Sequence, residues 1–175
     1  MSALKIGHVG IRTTDVARAV EWYGRALAAD VRFANEYATF MSFDDEHHRI
    51  VIFDDGETEP RPAAAAGIQH VAFMCGDPHG LAEEYERLKL AGIKPRVCAN
   101  HHFTSSIYYD DPDGNEVEIS CDNLPTKEAT NAFMKSEAMA AAMVPPSFGG
   151  EFDPEELLRL HHAGAPTVEL ARIGL

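Results

Sequence analysis

A chain of 175 residues, 45% hydrophobic and 25% charged, is long enough to bury a core and has the make-up of a soluble globular domain, alone or with a tail. Its formal charge of −13, with no Lys/Arg block to offset it, repels phosphate backbones and anionic lipid heads, which argues against nucleic acid and membrane partners. Cys75, Cys98 and Cys121 are odd in number and lack CxxC spacing, so they read as core thiols and suggest neither a disulfide framework nor a thiolate zinc site.

Met1 to Lys5 runs into a strand without a signal-peptide core, and no run of about 18 apolar residues follows, so the expected location is the cytoplasm. Leu4 to Ile11 reads as that strand. Thr13-Thr14-Asp15 supplies capping chemistry for a helix over Val16 to Ala28, with Val16, Ala19, Val20, Tyr23 and Leu27 at helical spacing and Trp22 and Tyr23 assigned to the core. Val31 to Phe33, Tyr37 to Phe43 and His48 to Phe53 read as three short strands. Asp54 to Gly67, acidic and then rich in Pro and Ala, has the composition of a linker.

Gln69 to Cys75 is the next strand. Asp77-Pro78 opens a helix that runs over Leu81 to Ala91, buries Tyr85 and is closed by Gly92; His79, at its start, reads as a surface residue. Lys94 to Cys98, Ser105 to Tyr109 and Glu116 to Ser120 are strands, the last two joined by a tight turn at Asp111-Pro112-Asp113-Gly114-Asn115. Strand parity puts Glu116, Glu118 and Ser120 on one face and Val117 and Ile119 on an apolar one. The polar row is a solvated face unless something cationic meets it.

After Asp122 the pattern changes. Thr126 to Met143 reads as a helix, Pro145-Pro146 and Gly149-Gly150 interrupt, and Asp153-Pro154-Glu155-Glu156 starts a short helix through Leu157, Leu158 and Leu160 that ends near Gly164. His161-His162, with no third ligand in sequence, reads as surface or interface. The expected division is residues 1–122 as a paired domain and 123–175 as a helical tail packed on its exterior or on a partner subunit.

A shift of 62 residues superimposes Ile6-Gly7-His8-Val9 on Ile68-Gln69-His70-Val71, Asp15 on Asp77 and Tyr23 on Tyr85. Two equivalent modules follow, about 4–54 and 67–121, each a strand, a helix and three strands. A single His on an apolar strand is most often a hydrogen-bonded core or surface residue. Two at the same place in two modules are different: if the modules pack about a pseudo-twofold, His8 and His70 approach each other on one curved sheet with Glu118 nearby. Two imidazoles and a carboxylate then form a facial triad with open positions, the arrangement associated with non-haem Fe(II). The position equivalent to Glu118 in the first module falls at about Ile52, so a fourth ligand is missing. By parity His48 shares a face with Ile50 and Ile52 and points into the same cup, where neutral imidazole can carry a proton; the alternative is an exposed His47-His48 loop pair. Tyr108, ten residues before Glu118 across the turn, belongs to the cup or is a plain core aromatic.

These features together resemble the vicinal oxygen chelate superfamily, and within it the type I extradiol ring-cleavage dioxygenases in a small single-domain form, over roughly residues 4 to 121. The resemblance implies an α+β fold in which two βαβββ modules form a curved mixed sheet, a half-barrel cup around a metal site, followed by a C-terminal helical tail. It implies His8, His70 and Glu118 as ligands of Fe(II), or of Mn(II), His48 as the acid and base near dioxygen, and Tyr108 as the hydrogen-bond partner of bound catecholate. Its two loop histidines fall on Ala99 and Phe103 here, and His101 and His102 are the nearby substitutes for substrate contact. The implied reaction is cleavage of a catechol ring by O2 beside the two hydroxyl carbons. The Ala/Met-rich stretch Ala138 to Met143 and the habits of the superfamily imply a homo-oligomer. Two rivals stay open: a glyoxalase-like isomerase or lyase, which usually has four protein ligands, and a metal-free ligand-binding protein like the bleomycin-resistance group.

Overall fold

A computed structural model describes residues 4–60, 62, 66–142 and 149–175. The parts of the linker at 61 and 63–65, Met1 to Ala3, Met143 and the Pro145-Pro146 interruption lie outside the described residues. The chain forms two compact units: 1–67 together with 111–115, and 68–110 together with 116–175.

In the first unit β1 (Val9–Arg12) leads into α1 (Val16–Ala26) and then β2 (Asp30–Ala34), β3 (Ala38–Ser42) and β4 (Ile50–Phe53). The strands lie in the order β1-β4-β3-β2, β1 parallel to β4 and the rest antiparallel. Asp15 caps α1 by accepting from the Arg18 N–H at 3.0 Å. Ala19, Tyr23 and Ala26 bury the inner stripe of α1, while Trp22 is only half-buried, so the core takes one of the two adjacent aromatics.

The second unit repeats the order: β5 (His70–Met74), α2 (Pro78–Leu90), β6 (Val97–Asn100), β7 (Thr104–Asp110) and β8 (Glu116–Asp122), sheet order β5-β8-β7-β6. The doubled βαβββ pattern is therefore real, and the protein is a mixed α+β fold with one open sheet per unit. The strand limits differ from the sequence reading, β1, β3 and β5 being shorter than expected. Lys94 to Arg96 stay outside β6, which runs on to Asn100, while β7 and β8 each reach further than their apolar cores suggest. His8 precedes β1 and His48 precedes β4, so both sit in the chain entering a strand.

The turn between β7 and β8 is built on Asp111. Its Oδ1 accepts the Asp113 and Asn115 N–H groups at 2.9 and 2.7 Å, and its Oδ2 accepts Asn115 Nδ2 and the Tyr23 hydroxyl, each at 2.9 Å. Gly114 takes φ +80, which a side chain would resist. Asp113 in turn accepts from Thr13 and Thr14 at 2.5 and 2.9 Å and pairs with Arg18 at 3.1 Å.

The tail differs most from its sequence reading. The single helix expected from Thr126 divides into α3 (Lys127–Phe133) and α4 (Glu137–Ala142), because the Ser136 hydroxyl accepts the Met139 N–H and starts a new helix. A two-residue strand, β9 (Gly150–Glu151), pairs antiparallel with β6, so the tail contributes to the sheet and not only helices to its exterior. Then come α5 (Pro154–His162), which packs on α2, and α6 (Thr167–Leu170). No helix among the described residues is long and apolar enough to cross a membrane.

Asn100 fastens this tail. Fully buried at the end of β6, it donates to Ala171 O and Ile173 O at 2.9 Å each and accepts from the His102 N–H at 2.8 Å and Asn123 Nδ2 at 3.0 Å. All four hydrogen-bonding positions of the amide are used. Asn100→Ala is expected to lose about 2–3 kcal/mol by urea denaturation and to expose the C-terminal helices to limited proteolysis. An unchanged proteolytic pattern would show that the tail is held elsewhere.

Candidate functional site

In the second unit, parallel register sets His70 opposite Glu116 and Ala72 opposite Glu118, and antiparallel register sets Tyr108 directly across from Glu118. His70 Nε2 lies 2.9 Å from Glu118 Oε2, and the His70 and Tyr108 rings meet edge to face at 5.7 Å. Glu118 is 7% exposed and also accepts from the Ser106 hydroxyl at 2.6 Å. Ser106 was not singled out by the sequence, although it shares the Tyr108 face of β7 by parity. The Tyr108 hydroxyl is held above its ordinary pKa by burial and then by the Glu118 charge beside it.

The second ring nitrogen of His70 has its own chain of partners. Nδ1 contacts Gln69 Oε1, the Gln69 amide nitrogen bonds Glu116, and Glu116 pairs with Arg96. Because the Gln69 NH2 group is spent on a carboxylate, its oxygen faces His70, so Nδ1 is the nitrogen that donates and Nε2, beside Glu118, is the one turned toward a metal. Glu118 is buried while the His70 ring is open to solvent, and at 2.9 Å either a proton or a metal cation can bridge the two atoms. The separation also fits two adjacent ligands, each about 2.1 Å from one metal at roughly a right angle. This half of the donor set therefore fits a divalent transition metal.

In the first unit the His8 and His48 rings lie 4.5 Å apart, and His48 meets the edge of Phe40 at 5.2 Å. The parity argument for His48 fails, since β4 starts at Ile50 and Ile50 and Ile52 are both fully buried on the core face. The loop through Arg49 brings His48 to His8 instead: Arg49 Nη1 donates to Ile6 O and Gly7 O at 3.2 Å while its Nε holds Asp44 at 2.9 Å. Local burial, then the neighbouring His47 and His8, lower the His48 pKa and favour neutral imidazole. Register also corrects the vacant position. Gly10 pairs with Val51 as Ala72 pairs with Glu118, so Val51, not Ile52, is the counterpart of Glu118. It is still apolar.

His101 and His102 diverge. His101 Nε2 lies 3.0 Å from the Tyr108 hydroxyl. His102, at φ +70, turns the other way, stacks on Phe133 at 6.4 Å and lines a cavity of about 500 Å³ with Phe133, Ala138, Ala141, Ala142 and Gly149. Among the described residues no three His, Cys, Asp or Glu side chains form a group able to hold a metal; His70 and Glu118 come together in one unit, and His8 belongs to the other.

A sequence model of the Glyoxalase/Bleomycin resistance protein/Dioxygenase superfamily matches residues 5–119. The chain belongs to this superfamily. Among the relatives of this superfamily member, Biphenyl-2,3-diol 1,2-dioxygenase 3 of Rhodococcus globerulus is 34% identical over 168 residues, 95% of this chain and 86% of that one. Biphenyl-2,3-diol 1,2-dioxygenase 2 of the same organism is 35% identical over 168 residues, 93% and 84% of the two chains. The likeness to these relatives includes the tail. Among solved structures, lactoylglutathione lyase from Agrobacterium tumefaciens shares the superfamily fold at 19% identity, with a TM-score of 0.57 over 69% of this chain and 96% of that one.

Proposed function

We infer that this superfamily member is an extradiol dioxygenase, opening the ring of an aromatic diol with O2. The observation that carries the reading is its 34–35% identity, over at least 93% of its length, to two biphenyl-2,3-diol 1,2-dioxygenases. The metal is Fe(II), with Mn(II) as the substitute, and its ligands are His8, His70 and Glu118. The close approach of His70 Nε2 and Glu118 Oε2 supports two of the three. Bound there, the metal supplies the electron path between a chelated diol and dioxygen.

The remaining residues bind, orient and move protons. His48, held neutral beside His8, accepts a proton from the diol and returns one to the product. Tyr108 and His101, joined at 3.0 Å, form the polar edge that orients the ring oxygen. The high pKa of Tyr108 keeps it a hydrogen-bond donor at neutral pH. His102 is the second candidate for substrate contact, although its ring stacks on Phe133 and lines the cavity beside α4. The identity to two biphenyl-2,3-diol dioxygenases supports an aryl-substituted catechol as substrate, with the oxygen atoms of O2 both entering the ring-opened product.

The test is anaerobic loading with Fe(II), followed by air-saturated buffer and either biphenyl-2,3-diol or catechol, with oxygen uptake and yellow product recorded together. One O2 consumed per diol, with biphenyl-2,3-diol the better substrate, is the expected result; bound iron without uptake would move the protein to the isomerases or lyases of the superfamily. His48→Gln is expected to keep its iron and lose about a hundredfold in turnover, the usual size of a lost general base. Full turnover in that variant would remove His48 from the chemistry.

A further inference from the structure

Outside the site already described, two histidines meet on facing helices of the second unit. His79 stands in the first turn of α2 and His161 in the last turn of α5, both half-buried, with Nδ1 of one 3.1 Å from Nδ1 of the other and ring planes inclined at 58°. The seam around them is braced. Glu155 of α5 accepts from the Tyr85 hydroxyl at 2.5 Å and pairs with Lys89 of α2 at 2.6 Å, and His162 Nε2 lies 3.2 Å from Glu86. The backbone of His79 is fixed as well, its N–H donating to the capping Asp77 at 2.9 Å.

We propose that His79 and His161 form a two-imidazole site for a divalent late transition metal such as Zn(II), which clamps α5 to α2. Two ring nitrogens each about 2.0–2.1 Å from one metal and separated by the observed 3.1 Å subtend roughly 100°, between the octahedral and tetrahedral angles. Without metal the two nitrogens share one proton; with metal both rings carry their proton on Nε2, and no net proton is released. His161 lies in the last turn of its helix, where the carbonyl ends favour a cation, and the chain as a whole is strongly anionic. The described residues offer no third His, Cys, Asp or Glu to complete a set, so water fills the remaining positions and the metal exchanges readily.

Metal-stripped full-length protein titrated with Zn(II) in a calorimeter decides the matter. Wild type is expected to bind one equivalent more than His79→Ala or His161→Phe, the latter chosen because it keeps a ring in the seam, and to gain a higher unfolding midpoint on Zn(II) addition that both variants lack. The affinity of the extra equivalent should fall by about tenfold or more on loss of either ring. His162→Ala retains it. In a Glu118→Gln background the same equivalent persists, and this separates failure of the clamp from failure of the iron site. Equal Zn(II) stoichiometry in wild type and His79→Ala, or loss of the equivalent through His162→Ala, overturns the proposal.

Discussion

Glu118→Gln is expected to lower Fe(II) affinity by about a hundredfold or more and to take ring cleavage down with it. The amide keeps the shape of the carboxylate and can still accept from Ser106, which now does so at 2.6 Å, but it presents no charge to the cation. In the metal-free protein the change is mild. A buried carboxylate is itself costly and the exposed His70 ring can turn to water, so metal-free Glu118→Gln should unfold within about 1 kcal/mol of wild type. Iron content and urea midpoint, measured side by side, separate a lost ligand from a lost fold. A variant that holds iron normally and turns over normally would remove Glu118 from the ligand set.

Asp111→Ala is expected to have the largest effect on stability, a loss of about 3–5 kcal/mol. Its carboxylate, 5% exposed, accepts four hydrogen bonds, and deletion strands two backbone N–H groups, the Asn115 amide and the buried Tyr23 hydroxyl at once. Burial first, and then the Asp111 charge, push the Tyr23 pKa far up, as a phenol fixed as a donor requires. Tyr23→Phe removes one of the four and should cost about 1–2 kcal/mol. The same turn sets the register of β7 on β8, so Asp111→Ala should also cut activity by misaligning Tyr108 against Glu118. A loss under about 1 kcal/mol would mean that the turn is held by Pro112 and Gly114 alone.

Asp113 gives the acid side of the stability curve a defined contributor. Burial pulls its carboxyl upward but is outweighed by the hydrogen bonds from Thr13 and Thr14 and by the Arg18 charge, which leave it below the ordinary carboxylate range. Its stabilising share is therefore present above the pKa of the unfolded carboxyl and is lost as pH falls through the folded value. Asp113→Asn should lose less stability than wild type on the acid side of about pH 4, with the two curves parallel above it. Curves parallel throughout would leave Asp113 without a part in acid unfolding.

The repeat made most of the architecture legible, because His8 and His70, Asp15 and Asp77, Tyr23 and Tyr85 mark equivalent places whatever the local propensities do. Pairing register was beyond it. Strand parity put Ile52 opposite the role of Glu118 and drew His48 into the cup along β4, whereas the parallel register of β1 on β4 selects Val51, and His48 reaches His8 through a loop shaped by Arg49. The meeting of His79 with His161 depends on the packing of α5 on α2, which spans 82 residues of sequence and leaves no periodic trace. Gly150-Glu151 of β9 is too short to show any alternation, and the Ser136 cap that divides the tail helix is a single hydroxyl in an otherwise helix-forming run.

A Cβ on Gly150 would stand 1.7 Å from Gly174 O, so at that point the main chain of β9 lies directly on the main chain of the C-terminus, and no substitution can be fitted between them without parting the two. The consequence concerns other molecules as much as this one. Were the last 25 residues removed, β6 would present a row of unpaired amides and carbonyls to any passing strand, an open invitation to stack chain upon chain. With the tail in place that side of the sheet ends in only two residues of strand, too few to template another.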